Sequence, residues 1–226
     1  MSTEIRSEEV GHFFNAPTRG SDVFYGREDL LLEIKQSLHP KPSQPKPSNQ
    51  SLPNTVWLSG LGGVGKTEIA REYAFRWSSD YKVVLWINAK SESTILRSFA
   101  VIAVLLGILQ PNVELNPRHG LRLTQNWLAG LAGRNPDGHD SWLMIFDNTD
   151  DPILLDDFIP RHSPNGAVLI TSRRPSPGAS EATALEVLPL SNEDGLQLLL
   201  DLSHLHDNAE VEGDNMAAGV GRAKDQ

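Results

Sequence analysis

A chain of 226 residues has room for one sizeable core, and its 39% hydrophobic and 22% charged residues are ordinary for a globular protein. The formal net charge of −9 argues against a large nucleic-acid footprint, which needs clustered Lys and Arg. The absence of cysteine excludes a disulfide scaffold and thiolate metal sites. The polar N-terminus carries no signal-peptide pattern, and the apolar run at 99–109 is too short to span a bilayer, so a soluble, cytoplasmic protein is expected.

In chain order, residues 1–20 are polar and without periodicity, which reads as a flexible tail. "REDLLLEIKQSLH" (27–39) spaces Leu30, Leu31, Ile34 and Leu38 as one helical face, with Lys35 and His39 near the end where the helix dipole favours positive charge. Residues 40–53 hold five prolines in 14 residues and read as a solvated linker. From Thr55 the pattern alternates between strand and helix. "TVWLS" (55–59) is a short apolar strand, and 66–78 is a helix with Ile69, Ala70, Tyr73, Ala74 and Trp77 on one face. "KVVLWIN" (82–88) is a second strand, followed by a helix from about residue 91 with capping signals in Ser91 and Ser93. A loop at 111–120 leads to a weaker helix, Leu121 to Leu131, expected to break at Gly130. "SWLMIFDNTDD" (141–151), "GAVLITSRR" (166–174) and "ALEVLPL" (184–190) supply the third, fourth and fifth strands. A last helix starts at Ser191, which has capping-box spacing to Asp194, and residues 205–226 form a polar tail. His204 and His206 are two apart, which does not put both on one helical face, so no metal site is read there.

Strands apolar on both faces and alternating with helices mean a parallel sheet covered on both sides, an α/β fold of three layers. Ligands in such folds sit beyond the carboxyl ends of the strands. The first strand ends in "GLGGVGKT", Gly60 to Thr67, a complete G-x-x-x-x-G-K-S/T phosphate loop between a strand and a helix. Gly60, Gly62, Gly63 and Gly65, with Leu61 and Val64 between them, let successive backbone N–H groups face phosphate oxygens. The dipole of the helix that begins at Lys66, Thr67 and Glu68 adds to this. Lys66 is expected to neutralise the β- and γ-phosphates and Thr67 to ligate Mg²⁺. Within this loop, "LSGLGG" echoes the signature of transporter ATPases, but that signature belongs far downstream of a phosphate loop.

Asp147 ends the third strand, where an acid holds Mg²⁺ directly or through water. The next residue, where a dedicated ATPase of this class usually has a second acid to polarise water, is Asn148. Asp150 or Asp151 is a substitute from the loop, and hydrolysis is expected to be slow. The fourth strand ends in Thr171-Ser172-Arg173-Arg174, placing a cation where it reaches a γ-phosphate.

These stretches, with "FYGREDLLLEI", "VVLWINA" and "LEVLPLSNEDGLQLL", follow the order of the NB-ARC module, and residues 23–200 resemble that nucleotide-binding domain of NOD-like receptors, of the STAND class and the fungal kind. The resemblance implies a P-loop NTPase fold with a five-stranded parallel sheet of order 2-3-4-1-5, spanning 21–204. It implies an ADP/ATP switch that serves signal transduction in innate immunity, with Mg²⁺ as cofactor. It assigns Gly26 and Arg27 to the approach to adenine and phosphates, Asp147 to the metal, and Arg173 to γ-phosphate sensing. Leu188-Pro189-Leu190 lacks the glycine of the family's G-L-P-L motif and reads as a strand exit, so the chain is expected to stop before the helical ARC region. Partners implied are adenine nucleotide and a homo-oligomer or full-length receptor relatives. Two other readings stay open at this point: a P-loop ATPase or kinase of ordinary turnover, with Lys66, Asp147 and Asp150 as its catalytic residues, and a truncated adaptor that binds full-length relatives.

Overall fold

Two central strands carry the apolar sequence that fixes the architecture. In the computed structural model, which describes residues 12–19, 24–39, 52–111, 116, 118–132, 141–149, 151, 153–160, 166–176, 182–201 and 203, the first five residues of β4 (Trp142–Thr149) and all of β5 (Gly166–Ser172) are buried. Strands buried on both faces require helices above and below. They lie in one parallel sheet with β1 (Phe13–Phe14), β2 (Asn54–Ser59), β3 (Val83–Asn88) and β6 (Thr183–Glu186), in the order β1-β3-β4-β5-β2-β6.

The sheet therefore has six strands where five were expected. The five expected strands are β2 to β6, and their order 2-3-4-1-5 appears as β3-β4-β5-β2-β6 with β1 added at the edge. Phe13 and Phe14 fall in the segment read as a flexible tail. Their backbone nevertheless pairs with Val83 and Val84, and Phe14 packs its ring on Phe75 at 4.9 Å between centroids. Asn15 completes the edge, its Oδ1 accepting from Trp86 N at 2.7 Å.

Side-chain alternation then divides the strands between two layers. Trp57, Val83, Leu85, Ile87, Trp142, Met144, Phe146, Val168 and Ile170 form one core with Ile95, Phe99 and Ile102 of α3 (Glu92–Leu105) and Leu121, Leu128 and Leu131 of α4 (Arg118–Ala132). Each such side chain, fully buried, contributes about 1.5–3 kcal/mol. The alternate residues Val56, Leu58, Leu143, Ile145, Ala167 and Leu169 are buried on the opposite face. There α1 (Glu28–Leu38) contacts β2, and α2 (Lys66–Arg76) contacts β4 and β5. By the same alternation Asp147, Thr171 and Arg173 belong to the α2 face.

The α3 start follows its capping signal: Ser91 and Thr94 form a reciprocal capping box, and Ser93 adds a hydroxyl contact to Ser91. Gly120 lets α4 approach α3, since a Cβ there would lie 2.6 Å from Ala100 Cα. Gly130 does not break α4, which runs to Ala132. A glycine costs a helix only about 1 kcal/mol, and the buried Leu128 and Leu131 hold the final turn against the core. The fifth strand ends at Glu186, before the expected 190.

The chain divides into two compact units, residues 1–18 with 28–188 and residues 19–27 with 189–226. In the second, residues 192–201 are helical, and Ser191 Oγ accepts from Asp194 N at 3.0 Å, as its capping spacing predicts. The Pro-rich stretch up to residue 51, Asp150, and the tail from 204 onward with His204, His206 and Asp207 lie outside the described residues. Among the described residues, no helix is long and apolar enough to cross a membrane.

Candidate nucleotide site

The site is assembled in the first unit, at the carboxyl ends of β2, β4 and β5. Beyond β2 the backbone turns through left-handed conformations at Gly60 (φ 151°), Gly63 (φ 80°) and Gly65 (φ 98°). Gly60 has a second requirement, because a Cβ there would lie 2.5 Å from the Val187 carbonyl oxygen. That crowding comes from the exit of β6: Val187 N donates to Ser59 O at 2.7 Å, drawing the chain there against the start of the loop. Gly65 then caps α2, whose first helical bond is Ile69 N to Gly65 O at 2.9 Å. The loop is thus a curved run of backbone leading into a helix N-terminus, the geometry that binds phosphate.

Lys66 curls back beneath this loop. Its Nζ donates to Gly60 O at 2.8 Å and Leu61 O at 2.7 Å, and the residue is almost fully buried. Burial lowers its pKa below that of an ordinary lysine, and the nearby Arg173 guanidinium lowers it further, while Asp147 opposes both. Leu61 and Gly62 are exposed at the tip of the loop. Glu68 is also exposed and takes both its oxygens to Arg71 Nη1, at 3.0 and 2.9 Å, an i,i+3 pair on the surface of α2.

Thr67 and Asp147 come together: Thr67 Oγ1 donates to Asp147 Oδ1 at 2.8 Å. A residue given no role at the sequence level joins them. Thr171 Oγ1 donates to the same Oδ1 at 2.6 Å and accepts from Asn148 N at 2.8 Å. The signal for it was its place in the Thr-Ser-Arg run at the end of β5, which drew attention only to the arginine. Asn148 itself is exposed and left-handed (φ 65°). Asp151, considered as a substitute acid, caps the following 3-10 turn instead, its Oδ1 accepting from Ile153 N at 3.1 Å.

Arg173 follows β5 directly and lies over the loop, its Cδ being 3.9 Å from the position of a Cβ on Gly62. The backbone beside it is pinned, because Trp57 Nε1 donates to Arg174 O at 3.0 Å and Arg174 N donates to Ser172 Oγ at 2.9 Å. Gly26 and Arg27 belong to the second unit. They are consecutive left-handed residues, with φ of 64° and 69°, and a Cβ on Gly26 would lie 3.1 Å from Asp194 Oδ2. Partial burial lowers the Arg27 pKa and Asp194 opposes that shift. A left-handed arginine costs about 1–2 kcal/mol, the kind of strain that collects at ligand sites.

The donor set fits Mg²⁺. A hydroxyl and a carboxylate are hard oxygen ligands, and Mg²⁺ takes one or two such groups together with water and substrate phosphates. Among the described residues no group of three or more His, Asp or Glu could hold an ion. A cation held by Thr67 and Asp147 would take its remaining oxygens from other ligands such as phosphate and water.

No family model matches the chain. It is 28% identical, over an alignment of 216 positions that covers 86% of this chain, to a nucleotide-binding leucine-rich repeat (NLR)-like protein of Hyaloscypha variabilis. Over an alignment of 191 positions that covers 79% of this chain, it is 25% identical to a putative disease resistance protein of Arabidopsis thaliana. It spans 20% and 15% of those two relatives. Among solved structures it resembles Cdc6p from Pyrobaculum aerophilum with a TM-score of 0.54, at 17% identity, covering 82% of this chain and 51% of that one. Drosophila ORC bound to DNA matches with a TM-score of 0.51, at 19% identity, covering 82% of this chain and 49% of that one. The structural likenesses establish the P-loop fold.

Proposed function

The chain is an NB-ARC-like P-loop domain, and from that premise we propose that it is the adenine-nucleotide switch module of a NOD-like signalling receptor. It holds ADP or ATP with Mg²⁺ and hydrolyses ATP slowly at most. In this reading the domain spans 21–204.

The observation that carries this reading is the end of β4. Asp147 faces Thr67, as a metal acid needs to, but the next residue is an asparagine turned left-handed at the surface. An amide cannot take a proton from water as a carboxylate can. The chain therefore supplies groups that bind and sense a nucleotide and, at this position, no general base.

In this reading the backbone N–H groups of 60–67 receive the β-phosphate, and Lys66 exchanges its two carbonyl contacts for phosphate oxygens. Thr67 and Asp147 would hold Mg²⁺, which would supply neutralising charge to the bound phosphates. Arg173, fixed over the loop tip by the pinned backbone of 172–174, discriminates ATP from ADP by pairing with the third phosphate. Within the second unit, the left-handed Arg27 is a strained position of the kind that collects at ligand sites. The net charge of −9 is unfavourable for a large nucleic-acid footprint, and the DNA in the Drosophila complex belongs to that protein.

The test is nucleotide content and turnover of the purified chain. One tightly held adenine nucleotide per chain with slow turnover supports the switch. Rapid multiple turnover without a partner supports an ordinary ATPase instead.

A further inference from the structure

We propose that Thr171 is a positioning residue for the Mg²⁺ acid, bridging a bulge in β4 so that the Asp147 carboxylate is held against Thr67, and that it thereby sets the metal dependence of nucleotide binding. The inference rests on reading Asp147 as the metal acid.

The pairing of β4 with β5 is regular up to Phe146 opposite Ile170, and the next pair is Thr149 opposite Ser172. Three steps on β4 thus match two on β5, leaving Asp147 and Asn148 to share Thr171 as their partner. Such a bulge re-aims a side chain and is common beside active sites. Asn148 absorbs the extra residue in a left-handed conformation, which asparagine tolerates better than most side chains. The bulge removes a ladder partner from the Asn148 N–H, and the Thr171 hydroxyl supplies one at 2.8 Å.

The same hydroxyl has one proton to give, and it goes to Asp147 Oδ1 at 2.6 Å. Thr67 donates to that same oxygen at 2.8 Å, so two hydroxyls from two elements converge on it and fix the carboxylate's orientation. Thr171 is 1% exposed, so water cannot replace it. It lies two residues before Arg173, which directly follows the strand, so one strand end carries both the group that orients the metal acid and the cation assigned to the third phosphate.

The experiment titrates a fluorescent N-methylanthraniloyl ADP against the full chain in EDTA and over a series of free Mg²⁺ concentrations. Wild type, Asp147→Asn, Thr171→Val and Thr171→Ser are compared, with folding checked by thermal melting. Wild type is expected to bind more tightly with Mg²⁺, and Asp147→Asn to lose that response. Thr171→Val is expected to raise the Mg²⁺ concentration for half the effect by about tenfold or more, the usual consequence of removing a group that orients a metal ligand. Its affinity in EDTA should stay within about twofold of wild type, and Thr171→Ser should titrate within about threefold of wild type, since the hydroxyl is retained. A normal Mg²⁺ midpoint in Thr171→Val, beside a lost response in Asp147→Asn, overturns the role of Thr171 and leaves the metal acid standing. Equal loss of affinity with and without Mg²⁺ in Thr171→Val also overturns it, by showing a general structural defect. No Mg²⁺ response in wild type overturns the metal-acid reading and this inference with it. If Thr171→Val does not fold, Thr171→Ser decides: a midpoint displaced about tenfold despite the retained hydroxyl overturns the proposal.

Discussion

Two strand ends on the same edge of the sheet leave the regular backbone, and they do so by different means. After β2 the chain uses glycines, with Gly60, Gly63 and Gly65 at positive φ, and what it builds is a surface of backbone N–H groups. After Phe146 in β4 it uses one asparagine at positive φ and a bulge, and what it builds is an aimed side chain. Glycines expose backbone to a ligand. A bulge closed by a neighbouring hydroxyl points a carboxylate. On the proposed reading, the first device holds phosphate and the second decides the fate of the nucleotide.

The largest effect should come from removing the charge beneath the glycine loop. Lys66→Ala is expected to weaken ADP binding about 100-fold or more, equivalent to about 2.7 kcal/mol, measured by calorimetric titration. Retained affinity would mean that the backbone of the loop suffices without its cation.

Next comes the shape of the loop. Gly60→Ala places a Cβ 2.5 Å from the Val187 carbonyl in a conformation that L side chains rarely adopt. A destabilisation of about 3 kcal/mol is expected, read as a lowered denaturation midpoint. A near-neutral result would show that the β6 exit yields easily and that the loop does not depend on it.

The asparagine device should respond less. Asn148→Gly preserves the left-handed turn and should change stability by no more than about 0.5 kcal/mol, whereas Asn148→Glu should cost about 1–2 kcal/mol. The new carboxylate inherits a turn that leaves residue 148 exposed, so Asn148→Glu alone should not raise ATP turnover more than about threefold. A large gain would show that only the missing acid separates this chain from an active ATPase.

The smallest effect concerns the cations. Burial, and secondarily Arg173, lowers the Lys66 pKa from 10.5. The ammonium is the phosphate-binding form, so metal-free ADP affinity should fall with rising pH, starting below the pH expected of an ordinary lysine. Removing the neighbouring positive charge with Arg173→Ala raises the Lys66 pKa, so the midpoint of that alkaline loss should move to higher pH. A midpoint that stays or moves down would separate Arg173 from the electrostatics of the loop.

The two devices also differed in how far the sequence disclosed them. The phosphate loop was readable because its chemistry is local, with four glycines, a lysine and a threonine in eight consecutive residues between a strand and a helix. The bulge was not, because it exists only in the register between β4 and β5, and its closing residue stands 23 positions from Asn148. The edge strand β1 escaped for the same reason: two phenylalanines show no periodicity, and their partners lie 70 residues away. Gly130 misled in the other direction, since the local penalty was outweighed by the buried leucines on either side of it. Asp151 looked like a spare acid until its carboxylate was seen capping the next turn.

A switch site holds its nucleotide rather than consuming it. A single measurement tests this most directly: the turnover rate of the purified chain with saturating Mg-ATP, followed by phosphate release. The account predicts a rate on the order of 10⁻³ s⁻¹ or slower, comparable to a switch NTPase without its activator. A rate on the order of 1 s⁻¹ or faster would contradict it.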